Sequence, residues 1–139
     1  VELSKRMNTK QDKIVDVRIT SPEVVYEYYK NIINPFQECF YCLYLNPNKK
    51  VLKEKLLFKG TVNRSIVHPR DVFKEAYKQN ATSIICVHNH PNGDVTPSRE
   101  DIETTSRLKQ VGVLMGINLV DHVIIGDSKY YSFLENGKI

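Results

Sequence analysis

The chain has 139 residues, 41% of them hydrophobic and 26% charged, with a formal net charge of +4. That composition suits one globular domain with a real core and excludes a fibrous or wholly disordered chain. No run of five or six like charges marks a nucleic-acid tail, and no apolar stretch approaches the roughly 18 residues of a membrane span.

Residues 1–13 are polar and turn-like and read as an arm, which leaves 14–139 as one domain. The chain opens on Val1 rather than Met, as expected of a piece of something longer. No signal-peptide pattern is visible at its start. The three cysteines, Cys39, Cys42 and Cys86, all lie in apolar runs. They read as reduced core residues of a cytoplasmic protein. Cys39 and Cys42 have C-x-x-C spacing, but on a regular strand that spacing sends the two side chains to opposite faces.

Val15, Val17 and Ile19 alternate with polar residues, which predicts a short strand. Ser21-Pro22 then predicts a helix start, with serine as N-cap and proline in the first helical position. Val24, Val25, Tyr28, Tyr29 and Ile32 recur at helical spacing until Asn34-Pro35 stops the helix. Tyr26, Tyr28 and Tyr29 accompany that aliphatic period, so helix packing rather than base stacking is their expected use. Residues 38–45 are strongly β-prone, 46–49 form a turn, and 50–59 read as the returning strand of a hairpin. Gly60 allows a bend, and 61–67 continue as an irregular strand.

A helix is predicted from Pro69 to about Gln79, with Val72, Phe73, Ala76 and Tyr77 on its buried side. Residues 82–87 form a short continuous apolar run, the mark of a strand buried on both faces. Residues 91–97 hold two prolines, a glycine, an asparagine and an aspartate, and form a loop. A helix follows from about Ser98 to Met115, with Gly112 a weak point near its end. Residues 117–125 form another apolar strand, and Gly126-Asp127 turns into a last strand around Tyr130 to Leu134. This alternation predicts an α/β domain with a central sheet covered by helices.

The chemistry gathers at Val87-His88-Asn89-His90-Pro91. On an extended chain, residues i and i+2 face the same way, so His88 and His90 project together and Asn89 turns away. Pro91 biases His90 to an extended conformation. Two imidazoles at a strand end suit a borderline metal such as zinc, and a catalytic zinc site usually takes a third protein ligand. Asp101, in the first turn of the following helix, is the best candidate, since the helix dipole favours an anion there. Ser98-x-x-Asp101 also resembles a capping box, which needs no metal. Hydrolysis further requires a base for the bound water. Glu38, Glu23 and Glu54 are all candidates on spacing alone.

The string His88-x-His90-x7-Ser98-x2-Asp101, with a glutamate upstream on an early strand, resembles the JAMM motif of the MPN/JAB metallopeptidase family. Gly60-Thr61, His68-Pro69-Arg70, His88-Asn89-His90-Pro91, Pro97-Ser98, Asp101 and Asp121-His122 are closer still to its RadC-like branch. The resemblance covers about residues 20–135. It implies a mixed sheet between helices, similar to the cytidine deaminase fold. It also implies Zn2+ held by His88, His90 and Asp101 with water in the fourth position. Glu38 would be the general acid/base and Ser98 would stabilise the oxyanion. The implied activity is cleavage of amide or isopeptide bonds in a peptide or protein substrate.

The same residues admit other readings. HNH nucleases spread their residues over a longer ββα element, whereas His88-Asn89-His90 are consecutive. Zinc deaminases need a PC-x-x-C segment, and no cysteine follows Cys86. The RadC likeness leaves open a DNA-associated module acting in repair or recombination without peptidase activity. A scaffold without chemistry is disfavoured by the complete ligand set. His122 reads as a core histidine bonded to backbone, or as a partner standing behind the metal ligands. His68 reads as structural. Lys49, Lys50, Lys53, Lys55 and Lys59 suit either phosphate contact or a lysine-guarded sheet edge.

Overall fold

The computed structural model describes residues 14–60 and 67–139. The arm expected over 1–13 and the strand continuation expected at 61–66 lie outside the described residues. In chain order the elements are α1 (Pro22–Tyr29), β1 (Glu38–Leu45), β2 (Val51–Gly60), α2 (Pro69–Lys78), β3 (Ser83–Asn89), α3 (Arg99–Met115), β4 (Asn118–Ile125) and β5 (Tyr130–Ser132).

The strands form one sheet in the order β2-β1-β3-β4-β5. Strands β3 and β4 are parallel and every other neighbouring pair is antiparallel, so the sheet is mixed. A parallel pair needs a long crossover, and α3 supplies it. Period-two alternation divides the core. Phe40, Cys42, Tyr44, Ile84, Cys86 and Leu119 meet Val72, Phe73 and Ala76 of α2 and Leu108 of α3 on one face. Leu43, Leu45, Ile85, Val87, Val123 and Ile125 meet Val25 and Tyr29 of α1, with Ile14 and Ile19, on the other. Strand β3 is buried along its whole length, as its unbroken apolar run predicts. The cysteines are free and buried.

Several local expectations are corrected. Residues 15–19 form no named strand, only a bridge between Arg18 and Lys50. Asp16 adopts φ 72°, in the left-handed region, and this breaks the pleat. Ser21 precedes α1 in extended conformation but makes no side-chain capping bond. The helix ends at Tyr29 rather than near Ile32, and the amides of Ile32 and Ile33 share the Tyr29 carbonyl in the turn that follows. Tyr77 is half exposed rather than core, and its hydroxyl donates to the Met115 carbonyl oxygen at 2.8 Å. Strand β5 stops at Ser132, where the Asp121 carboxylate captures the Leu134 amide at 3.0 Å.

The tyrosines of α1 pack as expected: Tyr29 is fully buried and donates to the Glu54 carboxylate at 2.5 Å. The lysine cluster lies on and just before β2, an edge strand, and Lys55 pairs with Glu75 at 3.3 Å. Protection of a sheet edge accounts for it. Among the described residues no helix is long and apolar enough to cross a membrane.

Candidate metal centre

Two strand ends and one helix start converge on the site. His88 is the penultimate residue of β3, and His90 follows that strand directly. Their rings stand 4.9 Å apart at 87°, so the i, i+2 geometry does bring both imidazoles to one side. His88 is 1% exposed and packs against Phe40 at 5.3 Å. His90 is held from behind by a 2.7 Å contact of Nδ1 with the Asp94 carbonyl oxygen. That bond makes Nδ1 the protonated nitrogen and leaves Nε2 facing Asp101.

Asp101 serves the helix cap and the histidines with one carboxylate. The Ser98 hydroxyl accepts from the Asp101 amide at 3.0 Å, and Asp101 Oδ2 accepts from the Ser98 amide at 2.8 Å, which completes a capping box. The same Oδ2 lies 2.9 Å from His90 Nε2, while Oδ1 lies 3.2 Å from His88 Nδ1. The two expectations for this aspartate are therefore compatible rather than competing. The contact with His88 is close but not aligned as a hydrogen bond, and His88 Nδ1 has no hydrogen-bond partner among the described residues.

Glu38 reaches the site from β1. In the antiparallel β1·β3 register Phe40 opposes His88, so Glu38 projects on the same face as Phe40 and His88. Its carboxylate Oε2 lies 2.5 Å from His88 Nε2. The structure therefore brings Glu38 to the histidines. Glu54 instead accepts from Tyr29 on the other face, and Glu23 lies in the first turn of α1.

One donor atom from each of His88, His90 and Asp101 falls within 4.8 Å of the others. A tetrahedral ion with bonds of about 2 Å places its ligands roughly 3.4 Å apart, so small side-chain adjustments would close this set around one. Two neutral nitrogens and one carboxylate are donors that zinc accepts, and the unpartnered buried Nδ1 of His88 fits that use. The electrostatics agree. Burial lowers the His88 pKa, but the adjoining Asp101 and Glu38 carboxylates outweigh it and the net shift is upward. Burial likewise pushes Asp101 up, yet the His88 and His90 imidazoles beside its carboxylate leave it well below the usual carboxylate range. The pocket thus holds concentrated negative charge that favours a cation.

His122 lies behind the ligands rather than among them. It is fully buried, 5.9 Å from the His88 ring and stacked on Phe133 at 4.8 Å. Its Nδ1 contacts the Thr105 hydroxyl at 2.7 Å, not a backbone group as expected. Burial and the nearby His88 lower its pKa to about 3. His68 occupies the N-cap position of α2, makes no capping bond and stands apart from the cluster.

Sequence reasoning missed three supporting side chains. Asn89 accepts from the Cys39 amide at 2.7 Å and donates to the Gln37 carbonyl at 2.9 Å, so it ties the start of β1 to the end of β3. Thr105 joins α3 to His122. Asp121 accepts from the amides of His122 and Leu134 and from the Ser132 hydroxyl. A polar residue inside an otherwise apolar strand, as at 89 and 121, was the available signal.

A mixed sheet between helices, with two histidines at a strand end and an aspartate in the next helix's first turn, defines an α/β fold of the JAB/MPN kind with a site that could hold a metal ion. The model of the RadC-like JAB domain matches residues 19–138, and the chain belongs to that family. It is 51% identical over 140 residues to a UPF0758 protein of Halalkalibacterium halodurans, covering 100% of this chain and 60% of that relative. The UPF0758 protein YsxA of Bacillus subtilis is 59% identical over 101 residues, which is 73% of this chain and 44% of YsxA. A Staphylococcus aureus UPF0758 protein is 49% identical over 137 residues, 98% of this chain and 62% of the relative. The chain thus spans about half to three-fifths of the length of these relatives.

Proposed function

We propose that the chain is a zinc-dependent hydrolase that cleaves peptide or isopeptide bonds of a peptide or protein substrate with a metal-activated water. The observation that carries this reading is the convergence of His88, His90 and Asp101 within 4.8 Å, with the Glu38 carboxylate against His88. Bound zinc would supply a Lewis acid that brings the pKa of its water towards 7 and polarises the scissile carbonyl.

The chain's own residues divide the remaining work. His88, His90 and Asp101 hold the ion, and the Asp94 carbonyl fixes the tautomer in which His90 presents Nε2. Glu38 stands where a carboxylate can take the water's proton and return it to the departing amine. Ser98 uses a lone pair in the capping box, which leaves its hydroxyl proton for the oxygen that becomes negative as the carbonyl is attacked. The water oxygen would bond to the scissile carbonyl carbon as Glu38 takes its proton, the C–N bond would then break, and Glu38 would return that proton to the departing amine nitrogen.

Zinc titration followed by cleavage of a tagged-peptide library tests the reading. Wild-type protein should bind one equivalent of zinc and cleave, whereas His88→Ala and Asp101→Ala should lose both properties. Full zinc retention in both variants would sink the ligand assignment. Cleavage that continues unchanged after chelation would sink the hydrolase.

A further inference from the structure

Between α3 and β4 lies a short polar chain that the reaction outlined above does not use. The Thr105 hydroxyl donates to the Asp101 backbone carbonyl at 2.8 Å and stands 2.7 Å from His122 Nδ1. Thr105 and His122 are both buried. A threonine bonding back to the carbonyl four residues earlier is common in helices and needs no further role. The second partner is less ordinary. One hydroxyl has one proton, and here that proton goes to Asp101. Thr105 Oγ1 must therefore accept, and His122 must donate from Nδ1. The opposite assignment would leave an N–H stranded at Nε2, which has no partner among the described residues, and an orphaned buried donor is costly.

The surroundings fix His122 in that role. Phe133 stacks on its ring at an interplanar angle of 4°, and Phe40 meets it edge-on at 5.4 Å. The Phe133 amide donates to the His122 carbonyl at 3.0 Å. Asp121 binds the His122 amide at 2.7 Å and the Ser132 hydroxyl at 2.6 Å, which holds the segment carrying Phe133 in place. The chain of bonds runs from the sheet, through His122 and Thr105, to the residue in the first turn of α3 whose carboxylate faces His88 and His90.

We propose that His122 and Thr105 are positioning residues that hold the first turn of α3, and with it the Asp101 carboxylate, against His88 and His90. The inference rests on the reading of those three residues as metal ligands. It assigns His122 no contact with metal or substrate. A neutral imidazole suits the position, because a second cation beside His88 would oppose an incoming one.

Two measurements test it. Nitrogen-15 NMR of the wild-type protein should show His122 in a single neutral tautomer, protonated at Nδ1. A proton on Nε2 overturns the proposal and requires no variant to be made. Chelator competition should then show zinc affinity about 10- to 100-fold weaker in Thr105→Val and His122→Phe. Thr105→Ser should restore both the affinity and the wild-type His122 tautomer. Wild-type affinity in folded Thr105→Val overturns the proposal while leaving the metal site standing. Zinc retention in His88→Ala would instead remove the reading beneath it.

Discussion

The carboxylate of Glu38 lies 2.5 Å from Nε2 of His88, although fifty residues of chain separate them. The contact follows from the antiparallel register that sets Phe40 opposite His88 and sends Glu38 to the same face. If Glu38 is the base, Glu38→Gln keeps the shape and removes the proton acceptor. Cleavage should fall by about 10²- to 10⁴-fold. Zinc content, measured on the same samples, should stay at the wild-type level. Equal turnover by the two proteins would dismiss Glu38 from that role.

Asn89 holds this geometry from the opposite face. Its side chain satisfies the Cys39 amide, next to Glu38, and the Gln37 carbonyl. Asn89→Ala would leave both groups unpaired. A buried unsatisfied group costs about 1–3 kcal/mol. Denaturant unfolding should show a loss in that range, and turnover should fall with it as Glu38 loses its anchor. Wild-type stability in the variant would mean that β1 is held by other contacts.

What could be read from the sequence, and what could not, divides by the range of the interactions. His88 and His90 share a face because of strand period, and Ser98 and Asp101 meet because of helix-start geometry. Both relationships sit within a few residues. The start of β3 and the bounds of α3 were legible to within a residue for the same reason, whereas β3 runs to Asn89, two residues past the expected end at 87. Glu38 was not separable from Glu23 or Glu54 by spacing, because its partnership depends on how β1 registers against β3. Thr105 with His122 joins a helix to a strand seventeen residues on, and no local pattern announces that pairing. The strand expected at 15–19 failed on one residue, Asp16, whose left-handed backbone does not show in the alternation of its neighbours.

Gly112 shows the same limit from the side of packing. In sequence it is a weak point in α3, and helix propensity alone says that Ala would improve the helix by about 1 kcal/mol. The structure reverses the sign. A Cβ at Gly112 would lie 2.3 Å from the Ile117 carbonyl oxygen and 3.5 Å from Phe73. The Ile117 amide also donates to the Gly112 carbonyl at 2.9 Å, so the chain doubles back tightly here. Backbone would have to move, at a cost of about 1–3 kcal/mol. Gly112→Ala should therefore lower the melting temperature, and a raised one would contradict the close approach.

Acid should reveal His122. Burial first, and the neighbouring His88 second, lower its pKa from the ordinary 6.5 to about 3 in the folded protein. Between those values the unfolded chain binds a proton at this position that the folded chain refuses. The folded state is thus favoured above pH about 6.5 and loses that advantage as pH falls towards about 3, by up to roughly 1.4 kcal/mol per pH unit. The His88 imidazole, with its pKa raised by Asp101 and Glu38, works in the opposite sense, so the wild-type profile alone mixes the two. Comparison with His122→Phe separates them. The aromatic ring keeps the stack on Phe133 but has nothing to protonate. The unfolding free energy of the metal-free wild type should fall relative to that of metal-free His122→Phe as pH is lowered through this window. Parallel profiles would show that His122 already carries its proton in the folded state, contrary to its burial.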